Sequence, residues 1–257
     1  MNQQEKRVFL IRRLLSEQPH AGGVEIPADE NEQKRLLRGL FNVRLPAPAD
    51  EAFLAVQDEY LREAIAEKGV TTPEALTPIR GDLYLWKGDI TTLACDAIVN
   101  AANSGMTGCY VPCHNCIDNC IHTYAGVRLR NTCAEIMARQ GYEEPTGQAK
   151  ITPAYNLPCR YVIHTVGPIV QGRLTGRHRE QLASCYRSCL ALAAENGCES
   201  IAFCCISTGV FSFPKQEAAE IAVQTVEDWK TEKNSAVKVI FNVFGNEDLA
   251  IYRRILA

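Results

Sequence analysis

Four cysteines and one histidine lie within a stretch of twelve residues near the middle of the chain. Thiolates and neutral imidazoles are ligands that zinc prefers, and a site built from only three of them keeps one coordination position open. Cys109, His114 and Cys116 can surround one ion if the chain between them forms a loop. Two alternatives stay open on spacing alone: a redox dithiol made by Cys113 and Cys116, and a set of buried structural thiols. The sequence has no second CxxC pair and no paired histidines, so it does not indicate a closed zinc finger.

An acidic residue follows this group directly. Asp118 stands near the start of a predicted helix, where a carboxylate is favoured electrostatically. It can be a plain helix cap, or a carboxylate that positions a water or a sugar hydroxyl beside the metal. His122, one helical turn further, is expected to be a packing residue. His164, on a predicted strand, is expected to be buried and hydrogen-bonded rather than catalytic.

Three other segments carry residues that suit a nucleotide ligand. Asp89 can accept hydrogen bonds from an adenine amino group or a ribose hydroxyl, and Asn100 and Asn103 supply amides among small residues that let a ligand approach the backbone. The same residue types are also common in ordinary tight turns. The segment 207–214 offers main-chain N–H groups and hydroxyls to a phosphate before a predicted helix. Phe244 ends the last predicted strand and can stack on a base or belong to the core.

The composition limits the class of protein. The chain has 257 residues, of which 46% are hydrophobic and 22% charged. This is typical of one large folded domain, or of one domain with a sizeable appendage, rather than of a disordered chain. The formal net charge of −3 argues against non-specific binding to nucleic acid. No apolar run is long enough to span a membrane, and the N-terminus does not resemble a signal peptide. We therefore interpret the twelve cysteines as reduced thiols of a cytoplasmic protein.

The elements that must position these residues fall into two segments. Residues 1–72 form a predicted helical extension of three helices, the first ended by Pro19, the second capped by Asp29, and the third preceded by Pro46 and Pro48. We interpret this extension as a packing appendage, with a contribution to partner recognition as the alternative.

Residues 73–257 alternate predicted strands and helices, which favours a three-layer α/β fold with a mixed central sheet. The predicted strands are 82–87, 96–102, 161–166, 201–206 and 237–244, and the predicted helices are 117–139, 178–196, 214–230 and 246–256. Ligands of such folds bind beyond the carboxyl ends of the strands. Neither a dinucleotide fingerprint nor a P-loop is present, which argues against a dehydrogenase or a P-loop NTPase.

Six motifs, taken in order, resemble those of the macrodomain, an α/β fold that binds ADP-ribose. They are GDIT (88–91), DAIVNAANS (96–104), CIDNCIH (116–122), YVIHTVGP (161–168), ISTGVFSFP (206–214) and VFG (243–245). The resemblance covers about residues 75–250 and points to the hydrolases that remove ADP-ribose from proteins. The run GCYVPCHNC replaces the glycine-rich run of ordinary hydrolytic macrodomains. Together with the helical extension, it is similar to the zinc-dependent microbial macrodomains found alongside sirtuin-type ADP-ribosyltransferases.

This resemblance implies a role for each matching residue. Cys109, His114 and Cys116 would bind one Zn²⁺ per chain, and Cys113 would not be a ligand. Asp118 would be the catalytic carboxylate, with Asn103 beside the distal ribose. The residues that would bind the rest of the ADP-ribose are Asp89, Ile90 and Phe244 at the adenine, and Ser207, Thr208, Gly209, Val210 and Phe211 at the diphosphate and distal ribose. Phe211 departs from the tyrosine of many relatives.

The expected function is therefore a zinc-dependent hydrolase that removes mono-ADP-ribose from modified, acidic protein side chains. Zinc could act as a Lewis acid on a ribose oxygen or lower the pKa of a bound water. The alternatives are a non-catalytic ADP-ribose-binding module with a structural zinc, and a cysteine-rich redox protein. The family context implies a lipoylated carrier protein related to the glycine cleavage system as the modified partner. Neither nucleic acid nor membrane is expected as a partner, and we expect a monomer.

Overall fold

The N-terminal quarter of the chain folds into three helices. The computed structural model describes residues 1–18 and 23–257, and the first helices are α1 (Gln3–Ser16), α2 (Glu30–Val43) and α3 (Glu51–Lys68). Asp29 caps α2 as predicted, because its side chain accepts a hydrogen bond from the main-chain N–H of Glu32. Pro19, which is predicted to end the first helix, lies outside the described residues.

The remainder of the chain forms one mixed sheet with helices between its strands. The elements in chain order are β1 (Pro78–Arg80), β2 (Leu83–Lys87), β3 (Ala97–Ala102), α4 (Ile117–Ala125), α5 (Val127–Gln140), β4 (Ala149–Pro153), β5 (Tyr161–Val166), α6 (Gly176–Glu195), β6 (Ser200–Phe203), α7 (Lys215–Lys233), β7 (Lys238–Val243) and α8 (Asn246–Leu256). The strand order is β1-β2-β7-β6-β3-β5-β4. The five inner strands are parallel, and the edge strands β1 and β4 are antiparallel to their neighbours.

Four of the five inner strands are buried along almost their whole length, and β2 is the exception. β6 is fully buried, and in β3, β5 and β7 only one residue each is partly exposed. A strand that is buried without alternation must be covered on both faces of the sheet. The predicted three-layer α/β fold with an N-terminal helical extension is therefore confirmed.

Three details differ from the sequence prediction. The single helix predicted over 117–139 is two helices, α4 and α5, which meet at Gly126. Gly126 has φ +88°, and a Cβ there would lie 2.7 Å from the amide of Gln57. Strands β1 and β4 were not predicted, because short edge strands lack a continuous apolar run. β6 ends at Phe203, three residues earlier than predicted.

The apolar residues form two main clusters. The larger one lies between the sheet and its helices. The second is built by the extension, with Leu10, Leu37, Phe53 and Leu61 among its members, and it includes Val127 of α5. The extension is thus packed onto the α/β domain through α4 and α5, and Ile65 of α3 belongs to the larger cluster. Within the described residues, no helix has the length and apolarity needed to cross a membrane.

Candidate active site

The predicted site residues lie at one edge of the sheet. Asp89, Asn103, Ser207 and Phe244 follow β2, β3, β6 and β7, which are mutually parallel. The carboxyl ends of these strands therefore meet at the same edge, which is the ligand-binding edge of open α/β sheets. The ends of β2 and β7 are in direct contact, since the N–H of Gly88 donates to the carbonyl of Val243 at 3.1 Å.

The cysteine loop, residues 109–116, brings three potential metal ligands together. The ligand atoms of Cys109, His114 and Cys116 all lie within 4.8 Å of one another, and Cys109 Sγ is 3.7 Å from His114 Nδ1. Two thiols and one imidazole form a donor set that suits zinc and leaves a position open. Cys113 is not part of this group. Its main chain has φ +56°, and its thiol donates to the carbonyl of Arg35 at 3.3 Å.

The loop is preceded by a glycine whose conformation other residues rarely adopt. Gly108 has φ +86°, and a Cβ at this position would lie 2.7 Å from the ring of His122. The chain can therefore pass closely over the His122 ring on α4 only because Gly108 has no side chain.

Asp118 is held by two side-chain amides. It lies in the first turn of α4 and is buried, with Oδ1 accepting from Asn100 Nδ2 at 2.8 Å and Oδ2 accepting from Asn103 Nδ2 at 3.3 Å. Cys116, rather than Asp118, caps the helix. Burial raises the pKa of Asp118 to about 6, and the hydrogen bond from Asn100 and the positive charge of Arg130 oppose this rise. A carboxyl group that is fixed in place and titrates near neutrality suits acid–base chemistry.

Asn103 connects Asp118 to the cysteine loop. Its Nδ2 donates to the carbonyl of Gly108 at 3.1 Å as well as to Asp118, and its Oδ1 accepts from the N–H of Gly105 at 3.0 Å. The predicted catalytic pair is thus in contact, and it adjoins the predicted metal ligands.

Two buried residues behind Asp118 have a different part in the site from the one predicted, since Asn100 was expected to offer its amide to a ligand and His164 was expected only to be buried and hydrogen-bonded. Asn100 Nδ2 lies 3.1 Å from His164 Nδ1, whose other ring nitrogen is 3.0 Å from Thr152 Oγ1. Burial lowers the pKa of His164 to about 3, so this imidazole is neutral and can accept from Asn100. The predicted role of His164 as a buried, hydrogen-bonded residue matches this geometry. A polar asparagine within an otherwise apolar strand is the sequence signal that identifies Asn100.

His122 is also buried, and its Nε2 lies 3.6 Å from Asp118 Oδ1. Burial lowers the pKa of His122 well below its ordinary value, and the nearby His164 and Arg130 act in the same direction. Neither ring nitrogen of His122 has a hydrogen-bond partner in the described part of the chain. His122 is buried, as expected of a packing residue, and its proximity to the carboxylate of Asp118 was not predicted.

The residues that are predicted to bind adenine lie after β2 and β7, away from the cysteine loop. Asp89 Oδ1 accepts from the N–H and hydroxyl of Thr91, and Oδ2 accepts from Lys68 Nζ at 2.8 Å. Burial alone would raise the pKa of Asp89, but Lys68 and Thr91 together lower it below its ordinary value. Phe244 is 80% exposed, which leaves its ring free to stack on a ligand. Ile90 is buried in the core, so its side chain is structural.

The serine loop, residues 207–211, lies between β6 and α7. Main-chain hydrogen bonds close this loop. The N–H of Phe213 donates to the carbonyl of Ser207 at 3.0 Å, and the N–H of Ser212 donates to the carbonyl of Gly209 at 3.0 Å. The Ser207 hydroxyl is buried and has no hydrogen-bond partner among the residues that the structure describes. The Thr208 hydroxyl donates to the carbonyl of Cys205 within the same turn. Val210 is 75% exposed, so this loop lies at the protein surface, where main-chain N–H groups can meet an anion.

Comparisons with known proteins agree with this geometry. The family model of the Macro domain matches residues 99–222, which run from β3 into α7, so the fold is that of a macrodomain. A protein-ADP-ribose hydrolase of Treponema medium is 63% identical over 100% of both chains. A protein-ADP-ribose hydrolase of Staphylococcus aureus is 49% identical and covers 95% of this chain and 92% of its own. A crystal structure of a Trypanosoma brucei macrodomain in complex with ADP-ribose matches with a TM-score of 0.66 at 32% identity, covering 86% of this chain and 95% of its own.

These similarities extend over the helical extension as well as the α/β domain, since the bacterial relatives align over almost the whole chain. The chain therefore belongs to the macrodomain family of protein-ADP-ribose hydrolases. It is a hydrolase, as its sequence predicts.

Proposed function

We propose that this protein is a zinc-dependent hydrolase that removes mono-ADP-ribose from acidic side chains of a modified protein. The observation that carries the proposal is that Asn103 links a buried carboxylate to the residue that precedes a thiol–imidazole cluster. Asn103 donates to Asp118 and to the residue that precedes Cys109, so the two groups belong to one site. A module that only binds ADP-ribose has no need for a buried carboxylate at this point.

In this proposal the ADP-ribose lies along the carboxyl edge of the sheet. The adenine would lie against the exposed ring of Phe244, with its amino group donating to Asp89. The diphosphate would accept hydrogen bonds from the serine loop, next to the N-terminus of α7. The distal ribose would then reach Asn103 and Asp118, with Phe211 covering it.

Cys109, His114 and Cys116 would hold one zinc ion, because two sulfurs and one nitrogen within 4.8 Å of one another match its preferred ligands. When bound, zinc would supply a Lewis-acidic charge beside the distal ribose. Asp118 would orient the attacking group and move its proton, and Asn100 and Asn103 would fix the direction of the carboxylate. Cleavage separates C1 of the distal ribose from the modified side chain and adds the elements of water.

The names of the relatives support removal of ADP-ribose from a protein. The zinc, the acidic side chain, the association with a sirtuin-type transferase and the lipoylated carrier partner come from the motif resemblance. A monomeric state and a cytoplasmic location belong to the same proposal. We also propose residue 72 as the end of the extension. The separate apolar cluster of α1 to α3 supports a boundary there.

A demodification assay tests the proposal. The substrate is a protein that carries mono-ADP-ribose on acidic side chains, and the enzyme is used untreated, stripped by a chelator, and stripped then resupplied with zinc. We expect release of free ADP-ribose that is lost on stripping and restored by zinc. Release that survives complete stripping would reject the metal dependence. Tight ADP-ribose binding without any release would favour the binding module.

A further inference from the structure

Helix α2 of the extension contacts the cysteine loop with two side chains. Arg38 Nη2 donates to the carbonyl of His114 at 2.7 Å and to Asn119 Oδ1 at 3.1 Å. Asn42 Oδ1 accepts from the main-chain N–H of Cys113 at 2.8 Å. These contacts join residues that are more than 70 positions apart in the chain.

Asn119 extends this support to the beginning of the loop. It is fully buried in α4, and its Nδ2 donates to the carbonyls of Val111 at 3.0 Å and Cys109 at 3.4 Å. Its Oδ1 is the atom that Arg38 holds. Arg38 therefore fixes His114 directly, and it fixes Cys109 through Asn119.

The cysteine loop has little structure of its own. Among the described residues, the N–H of His114 to the carbonyl of Val111 is the one backbone hydrogen bond within residues 109–116. Main-chain polar groups that are not paired within a loop need partners from elsewhere or from water. Here α2 and α4 supply those partners, so they determine where the three ligand atoms lie.

We propose that the N-terminal extension sets the affinity of the metal site, with Arg38 and Asn42 as positioning residues that hold the cysteine loop in its ligand-bearing shape. This inference rests on the proposed function, because it assumes that the loop binds zinc. It assigns to α2 a role that α4 of the α/β domain fills only in part, through Asn119. Groups around metal ligands that fix ligand orientation typically change metal affinity about 10- to 100-fold when they are removed.

The experiment measures zinc affinity rather than activity. The full-length protein is stripped of metal, and zinc is titrated in competition with a chromogenic chelator. Arg38→Met keeps the aliphatic stem of the side chain and removes its donors. Arg35→Ala is the matched control, since it removes one positive charge from an exposed position of the same helix whose side chain does not hold the loop. Arg38→Lys tests whether a single donor restores part of the effect.

We expect Arg38→Met to weaken zinc binding about 10- to 100-fold. The zinc affinity of Arg38→Lys should lie between those of Arg38→Met and the wild type, and Arg35→Ala should bind zinc as tightly as the wild type does. Hydrogen exchange of the metal-free protein should show faster exchange in residues 109–116 for Arg38→Met alone. If Arg38→Met loses its fold, Asn42→Ala provides the same test through the N–H of Cys113.

Two results would overturn the inference, and they are distinguishable. Zinc bound by folded Arg38→Met and Asn42→Ala as tightly as by the wild type would reject the role of α2 and leave the proposed function intact. A wild-type protein that binds no zinc at residues 109–116 would reject the proposed function together with the inference.

Discussion

The cysteine loop and the serine loop follow parallel strands of the same sheet, yet they are stabilised in opposite ways. The serine loop is closed by hydrogen bonds between its own main-chain atoms and those of the next two residues. The cysteine loop has one such bond in the described chain, and it is held by Arg38, Asn42 and Asn119. The serine loop also receives one distant bond, from the N–H of Val170 to the carbonyl of Phe211 at 2.9 Å, but most of its main-chain bonds are local. The cysteine loop depends mainly on side chains of the helices α2 and α4.

The difference suits the chemistry proposed for each loop. An anion can be bound by main-chain N–H groups that a short turn presents. A metal site requires three side chains at fixed mutual distances, and this needs support from outside the loop. Asp118 follows the second pattern, because its partners Asn100 and Asn103 lie 18 and 15 residues away.

The largest expected effect is a loss of turnover at Asp118, next to the cysteine loop, without a loss of ADP-ribose binding at the adenine end. Asp118→Ala should lower kcat about 10³-fold, within the range that general acid–base groups contribute, while ADP-ribose affinity stays close to that of the wild type. Single-turnover release of ADP-ribose and calorimetric binding measure the two quantities.

Asp89→Ala is the matched control, since it removes a carboxylate at the opposite end of the same cleft. It should weaken ADP-ribose binding and leave turnover at saturating substrate nearly unchanged. A variant of Asp118 that folds and turns over at the wild-type rate would remove Asp118 from the mechanism.

Within the cysteine loop, two cysteines three positions apart should differ completely in metal binding. Cys116→Ser should lose the zinc that we propose, because Cys116 Sγ is one of the three clustered ligand atoms. Cys113→Ser should retain it, because the Cys113 thiol donates to the carbonyl of Arg35 and a serine hydroxyl can do the same. Elemental analysis of purified protein gives the zinc-to-protein ratio. Equal loss of zinc in both variants would favour a site that uses the CxxC pair.

The two loops also show which features of the fold and of the site can be predicted from the sequence. The types of the longer helices and of the inner strands, the cap at Asp29 and the position of the serine loop follow from local patterns, so they could be predicted. The spacing of Cys109, His114 and Cys116 predicts a possible metal site but leaves the CxxC pair open, and the resemblance is what favours these three residues. The contacts of Arg38, Asn42 and Lys68 could not be predicted, because they depend on where the extension packs on the domain.

The buried partners of Asp118 illustrate the same limit. The isolated position of Asn100 in an apolar strand is visible in the sequence, but its pairing with His164 requires the register of β3 and β5, in which these two residues are opposite each other. The break at Gly126 was missed because the residues on both sides favour a helix. Gly126 is required by its contact with Gln57 of α3, which is again a contact with the extension.

Substitution of Gly108, which precedes the cysteine loop, should affect stability more than substitution of Gly209 in the serine loop. Gly108→Ala should lower the free energy of unfolding by about 2 to 3 kcal/mol, because a side chain at positive φ is strained and would meet the His122 ring. Gly209→Ala should change it by less than about 0.5 kcal/mol, since a Cβ there meets nothing within 4 Å. Urea unfolding followed by circular dichroism measures both. A stable Gly108→Ala protein would show that the chain can move away from α4 at little cost.

The smallest expected effect is a change in ADP-ribose affinity at the adenine end, where no part in the chemical step is proposed. Phe244→Ala should weaken ADP-ribose binding about tenfold, because stacking of a base on an aromatic ring contributes about 1 to 3 kcal/mol and a tenfold change corresponds to about 1.4 kcal/mol. Turnover at saturating substrate and the melting temperature should hardly change, since the ring is 80% exposed and packs on little of the protein. Phe244→Trp keeps a stacking surface and should bind nearly as the wild type does. If Phe244→Ala instead lowered kcat with affinity intact, the adenine end would take part in the chemical step. The proposal that one end of the site binds the adenine and the other end catalyses the reaction would then be rejected.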